Sequence, residues 1–288
     1  MTVDGAMVDI GDTALHVVER GSGPAVLVLH GAGLDHGSFG DYLDPLADSH
    51  RLLFIDQRGH GRSASSAEDS WTLERLAADV GAVARALDLG EYAVLGHSLG
   101  AFVALQHAVD EPTADVASIL CAAVPSVTYF AHADAALERF RPAELRDRVG
   151  AAMERSTQVR TPAEARDALD AQLPFLFADP ADPRIAEYLE RTKDTRYAPA
   201  VLRHFVANGY GGIDVRDRLD RVKGPMLLFA GRDDRVCSVA AAEAIAAGVP
   251  QAELVVCEHS GHFAFVEERE AFLAAVRRFL TRHFTDPS

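Results

Sequence analysis

The chain has 288 residues, 48% of them hydrophobic and 25% charged, and its acids outnumber its bases to leave a formal charge of −15. That length buries a sizeable core without disulfide or metal staples, and it fits one large domain or one domain carrying an insertion. So acidic a chain lacks the basic footprint that duplex nucleic acid or anionic lipid requires. No apolar run approaches the ~18 residues of a membrane span, and Cys121, Cys237 and Cys257 do not make a disulfide framework.

In chain order, residues Val8–Arg20 read as two strands joined near Gly11–Asp12, and Gly21–Pro24 as a turn. Ala25–Leu29 (AVLVL) is a continuous apolar run of the kind buried on both faces of a parallel sheet. Arg51–Ile55, Tyr92–Leu95, Val116–Ala122, Pro225–Ala230 and Glu253–Cys257 read the same way. Segments of helical period lie between them. In Thr72–Leu87 an apolar stripe runs from Leu73 through Leu76, Val80 and Val83, and Gly90 is expected to close it. Leu99–Val109 is a mostly apolar helix stopped by Pro112, and Glu267–Phe284 places Phe272, Ala275, Val276 and Leu280 on one face. Strands alternating with helices predict an α/β chain, with a mostly parallel central sheet flanked by helices and right-handed crossovers.

Residues 125–207 break this rhythm. They carry helix-like segments such as Asp134–Phe140, Pro142–Arg155 and Pro162–Leu173, punctuated by Pro174, Pro180, Pro183 and Pro199. A stretch of roughly 80 residues is too long for one connection. It is expected to be a helical lid subdomain inserted into a core made of residues 1–124 and 208–288.

The sharpest chemical signal is Gly96-His97-Ser98-Leu99-Gly100, which follows the strand Tyr92–Leu95 and opens an apolar helix. A strand–turn–helix context is what a G-x-S-x-G nucleophile turn requires: the glycines permit the tight turn that lifts the Ser98 hydroxyl clear of the sheet. The helix N-terminus beneath it favours negative charge. A serine hydroxyl is a weak nucleophile that needs a base, and the base needs an orienting group. Gly231-Arg232-Asp233-Asp234 follows one core strand, and Glu258-His259-Ser260-Gly261-His262-Phe263 follows the next. Both acids and both histidines therefore sit at carboxyl ends of strands, where open α/β sheets bind ligands.

This order of serine, acid and histidine resembles the α/β-hydrolase fold family over nearly the whole chain. The resemblance implies an α/β-hydrolase fold and a catalytic set of Ser98, Asp234 and His262, the family's acid standing third after a glycine and its histidine directly after one. Asp233 and His259 are the alternatives, and no acid closely follows Val116–Ala122 to compete. An oxyanion hole needs two backbone N–H groups. His30-Gly31-Ala32-Gly33 resembles the family's H-G-x loop, which assigns these donors to Ala32 and Leu99. The family-like stretch Asp56-Gln57-Arg58-Gly59-His60-Gly61-Arg62-Ser63 is expected to buttress the pocket floor through Asp56 and Arg58.

Neither a phosphate-binding glycine motif nor a zinc motif occurs, despite 12 histidines, so no cofactor and no metal is expected. Cys237 is expected to be a buried small hydrophobe. The serine at position 98 sets the chain apart from branches with a carboxylate nucleophile. The resemblance implies a serine hydrolase acting on a small-molecule substrate, a small carboxylic ester or lactone, through an acyl-enzyme. A prolyl aminopeptidase is the alternative, because Asp56–Gly59 and Gly231–Cys237 resemble stretches of proline iminopeptidases. Glu164, Asp167, Asp170 and Glu187 are among the carboxylates that could then hold a free amine. Two departures set this chain apart from that group: H-G-A-G in place of H-G-G-P-G, and Ala101 in place of a second glycine. A third reading is a ligand-binding protein on the same scaffold. The opening MTVDGAMVDIGD carries acids where a secretory signal needs a basic start, so a cytoplasmic protein is expected; oligomeric state is left open.

Overall fold

The computed structural model describes residues 5–113 and 116–284. Eight strands form one sheet in the order β1-β2-β4-β3-β5-β6-β7-β8. They are β1 (Ala6–Asp9), β2 (Ala14–Arg20), β3 (Ala25–Leu29), β4 (Arg51–Ile55), β5 (Tyr92–His97), β6 (Val116–Cys121), β7 (Met226–Gly231) and β8 (Ala252–Cys257). β2 pairs antiparallel with β1 and β4, and every pairing from β4 to β8 is parallel. Each strand expected from an apolar run is present, and the expected hairpin at Gly11–Asp12 joins β1 to β2.

The apolar runs work as expected because their side chains alternate between two cores. On β3, Leu27 and Leu29 join α1 (Leu73–Ala86) and α2 (Leu99–Asp110), with Leu76, Val80, Val103 and Leu105. Val26 and Val28 join the opposite cluster with Phe272, Val276 and Phe279 of the C-terminal helix. Both faces of β3 and β5 are fully covered. The Thr72 hydroxyl caps α1 by accepting the Arg75 amide at 3.2 Å. That helix does not close at Gly90. Asp88 takes the left-handed conformation (φ 52°) instead, a role that Asp tolerates better than most residues.

Between β6 and β7 the chain runs through α3 (Ala131–Arg139), α4 (Ala143–Ser156), α5 (Pro162–Asp170), α6 (Leu173–Leu176), α7 (Arg184–Arg191) and α8 (Pro199–Ala207). Thr161 and Glu164 form a reciprocal capping box at the start of α5, and proline occupies the first turns of α5, α6 and α8. α9 (Val239–Gly248) links β7 to β8, and α10 (Ala264–Glu267) and α11 (Arg269–His283) complete the described chain. Among the described residues no helix is long and apolar enough to cross a membrane.

Candidate active site

Ser98 stands between β5 and α2 with φ 55° and ψ −122°, a conformation that L residues rarely adopt. The flanking glycines allow it by permitting close approach. A Cβ at Gly96 would lie 2.1 Å from the Gly100 carbonyl oxygen, and one at Gly100 would lie 2.2 Å from that of Leu29. The strain is therefore concentrated on the serine, while the glycines let backbone pack on backbone.

Asp234 and His262 come together at the ends of β7 and β8. The His262 Nδ1–H donates to Asp234 Oδ2 at 2.9 Å, and both residues are buried. The other carboxylate oxygen of Asp234 accepts the amides of Val236 and Cys237, which fixes the acid's rotamer. Asp233 and His259 are exposed instead. Ser98, His262 and Ala32 all line a single cavity of about 400 Å³. Among the described residues neither the Ala32 amide nor the Leu99 amide donates to another protein group, so both are free to bind an anionic oxygen.

Buried neutral histidines shape this edge of the sheet. His30 donates from Nδ1 to the Gly31 carbonyl at 2.8 Å and accepts the Gln57 amide at Nε2. His60 donates from Nδ1 to the Arg58 carbonyl and accepts the Gly33 amide at Nε2, at 3.1 Å. His97 donates from Nε2 to the His262 carbonyl at 3.0 Å, joining the serine turn to the histidine turn. Burial pushes His30 down to about 4 and His60 and His97 down to about 3, so each ring is neutral and its tautomer follows from its partners.

Asp56 buttresses as expected. Its carboxylate accepts the amides of His36 and Arg62 and the His36 Nδ1–H, closing the turn beside the His30–Gly33 loop. Arg58 does not. Its guanidinium binds Asp79 on α1 and Asp12 in the β1–β2 turn, away from the cavity, and so braces the outer layer. Cys237 is a buried part of the core, as expected, and burial pushes its thiol well up.

Two supports escape sequence reasoning. Glu267 is buried on α10, and its carboxylate accepts the amides of Gly261 and Ala178, both at 2.8 Å. Arg235 donates to the carbonyls of Phe175, Phe177 and Ala178, and its guanidinium lies over the Phe140 ring. The His262 amide itself donates to the Leu176 carbonyl at 2.7 Å. Residues 175–178 are thus stitched to both the acid turn and the histidine turn. The acid five residues past His262 and the arginine after Asp234 were the available signals, but their partners lie far away in sequence.

Among the described residues, two groups of possible metal donors gather within 4.8 Å, His16 with His36 and Asp56, and Asp234 with Cys237 and His262. Asp56 and His36 in the first group, and Asp234 and His262 in the second, already hydrogen-bond to each other. Of the four carboxylates weighed as amine partners, Glu164 is engaged in the capping box, Asp167 is exposed, and Glu187 pairs with Arg191 on the surface. Asp170 alone of those four lines the cavity.

Comparison with known proteins agrees with this architecture. A pimeloyl-[acyl-carrier protein] methyl ester esterase of Stenotrophomonas maltophilia (strain K279a) is 30% identical over 274 residues, covering 92% of this chain and 96% of the relative. An α/β fold family hydrolase from Bacillus anthracis str. Sterne superposes with a TM-score of 0.81 at 22% identity, covering 96% of this chain and 99% of the other. Proline iminopeptidase from Mycobacterium smegmatis superposes with a TM-score of 0.72 at 24% identity, covering 97% and 98%. The family model described as the alpha/beta hydrolase fold matches residues 24–269, and the chain belongs to that family.

Proposed function

We propose that this protein is a serine hydrolase that cleaves a small carboxylic ester or lactone. The observation carrying this reading is the 2.9 Å bond from His262 to Asp234, made where His262 and the strained Ser98 line one cavity. In this mechanism His262 takes the Ser98 proton as Oγ attacks the substrate carbonyl, and Asp234 holds the imidazole tautomer and supports the imidazolium. The amides of Ala32 and Leu99 stabilise the tetrahedral oxyanion. His262 returns the proton to the departing alkoxide, leaving Ser98 acylated. A water deprotonated by His262 then attacks the acyl carbonyl, and the proton passes back to Ser98 as the acid departs. Residues 125–207 act as a lid that roofs the cavity and sets which acyl group fits. A family relative that is a methyl ester esterase supports the ester class.

The test is a rate assay with p-nitrophenyl esters of rising acyl length beside prolyl p-nitroanilide, with Ser98→Ala as the blank. Ester turnover that vanishes in Ser98→Ala, with no prolyl amide cleavage, is expected. Comparable prolyl amide cleavage would replace this reading with an aminopeptidase, and ligand binding without turnover would replace it with a binding protein.

A further inference from the structure

The cavity walls are largely apolar, and most of their polar side chains are already engaged. The Ser38 hydroxyl donates to the Asp35 carbonyl, and Tyr188 donates to the Ser38 carbonyl. Thr192 donates to the Tyr188 carbonyl, and Gln172 to Ser156 and the Ala168 carbonyl. Asp170, the last residue of α5, is only loosely held. It is half-buried, and its two contacts are long, Arg166 Nε to Oδ2 at 3.6 Å and the Tyr197 hydroxyl to Oδ1 at 3.5 Å. Thr195, which also lines the cavity, is buried with its hydroxyl oxygen unpartnered among the described residues. Asp134 is an exposed carboxylate at the rim, and no lysine or arginine is among the residues lining the cavity.

A carboxylate drawn away from water into an apolar wall is costly unless donors complete its shell, and the donors present here are too distant to do so. We infer that Asp170 is a specificity residue, and that the cavity takes an acyl group whose remote end bears a hydrogen-bond-donating, preferably cationic, group such as a primary ammonium. The same carboxylate repels an acyl group ending in an acid. Arg166 competes with the substrate for Asp170 from the solvent side of α5. Burial pushes the Asp170 carboxyl up, yet an arriving ammonium would hold it ionised.

This inference rests on the serine hydrolase reading, and its test keeps the two apart. The probes are the p-nitrophenyl esters of hexanoic acid and 6-aminohexanoic acid and the mono-ester of hexanedioic acid, each with an enzyme-free blank. The wild type should prefer the amino ester to the acid ester by at least about tenfold in kcat/KM. Asp170→Asn should cut that ratio about tenfold, through loss of the amino ester rather than gain of the acid ester alone. Arg166→Gln, by freeing Asp170, should raise the ratio. A ratio that ignores both variants overturns the inference while leaving the hydrolase reading intact. Calorimetric binding of the three esters to Ser98→Ala, with and without Asp170→Asn, gives a readout that needs no turnover. Binding that does not distinguish amino from acid ester overturns it equally, whereas hydrolysis persisting in Ser98→Ala overturns the hydrolase reading alone.

Discussion

The site has two halves of different build. The sheet edge rests on two large buried clusters, one on each face, and its turns are fixed by buried histidines, Asp56 and Glu267. The inserted helices have only two small clusters of their own, one around Val159, Ala165, Ala168 and Leu202 and another around Phe140, Val149 and Phe175. Beyond these they anchor in the large clusters, Val201 and Phe205 in one and Leu173, Phe177 and Tyr188 in the other, while Arg235 and the His262 amide hold residues 175–178. The proposed triad thus sits on the half whose geometry is over-determined, and the proposed selecting residue Asp170 sits on the other.

The largest expected effect falls on the sheet half. Ser98→Ala should lower kcat by about 10⁶-fold if Ser98, His262 and Asp234 act as one unit. Its circular dichroism and unfolding midpoint should match the wild type. Substantial turnover in the purified variant would end the assignment. Asp234→Asn should cost about 10⁴-fold by releasing the imidazole tautomer, whereas Asp233→Asn, at an exposed position, should stay within about twofold. The reverse order would move the acid to Asp233.

Acid should also strike the sheet half first. The ordinary imidazole of the unfolded chain titrates near 6.5, but folded His30 does so at about 4 and His60 and His97 at about 3. Below 6.5 the unfolded chain binds protons that the folded chain refuses. The stability these rings contribute is therefore present above pH 6.5 and is lost as pH falls through their folded values. Between about pH 6.5 and 5 the loss is about 2 kcal/mol for each histidine. Urea unfolding at both pH values measures it. Unchanged stability would show that these rings are not held neutral by the fold.

Much of the sheet half was legible because its signals are local. AVLVL, bounded by turn residues, suits a strand covered on both faces of a parallel sheet, and β3 spans the predicted residues Ala25–Leu29. The turn at Ser98 announces itself by its glycines, although their role proved to be close backbone approach rather than glycine-like angles. Asp88 displaced Gly90 at the end of α1 because a short polar side chain can also adopt φ near +52°. Arg58 was misplaced because its partners, Asp12 and Asp79, lie 46 and 21 residues away. The cavity wall was the least legible part. Asp170 looks like any helix-surface acid in sequence, and its place on the cavity follows from the packing of α5 against α4 and α8.

The smallest expected effect falls on the helical half and sharpens the contrast. Leu169 lies on α5, half-buried, lining the cavity and packing on the small Val159 cluster. Truncation to alanine gives up only part of a leucine's burial, so the stability cost should be about 1 kcal/mol. Phe272→Ala, in the sheet core, should cost about 3–5 kcal/mol. The space opened beside the acyl group should move the preferred p-nitrophenyl ester longer by roughly two carbons, since each buried methylene contributes about 0.8 kcal/mol. The chain-length profile and unfolding midpoint of the two variants check both sides of the comparison. If Leu169→Ala destabilises as much as Phe272→Ala and leaves the length optimum in place, the inserted helices are part of the core rather than its selective roof.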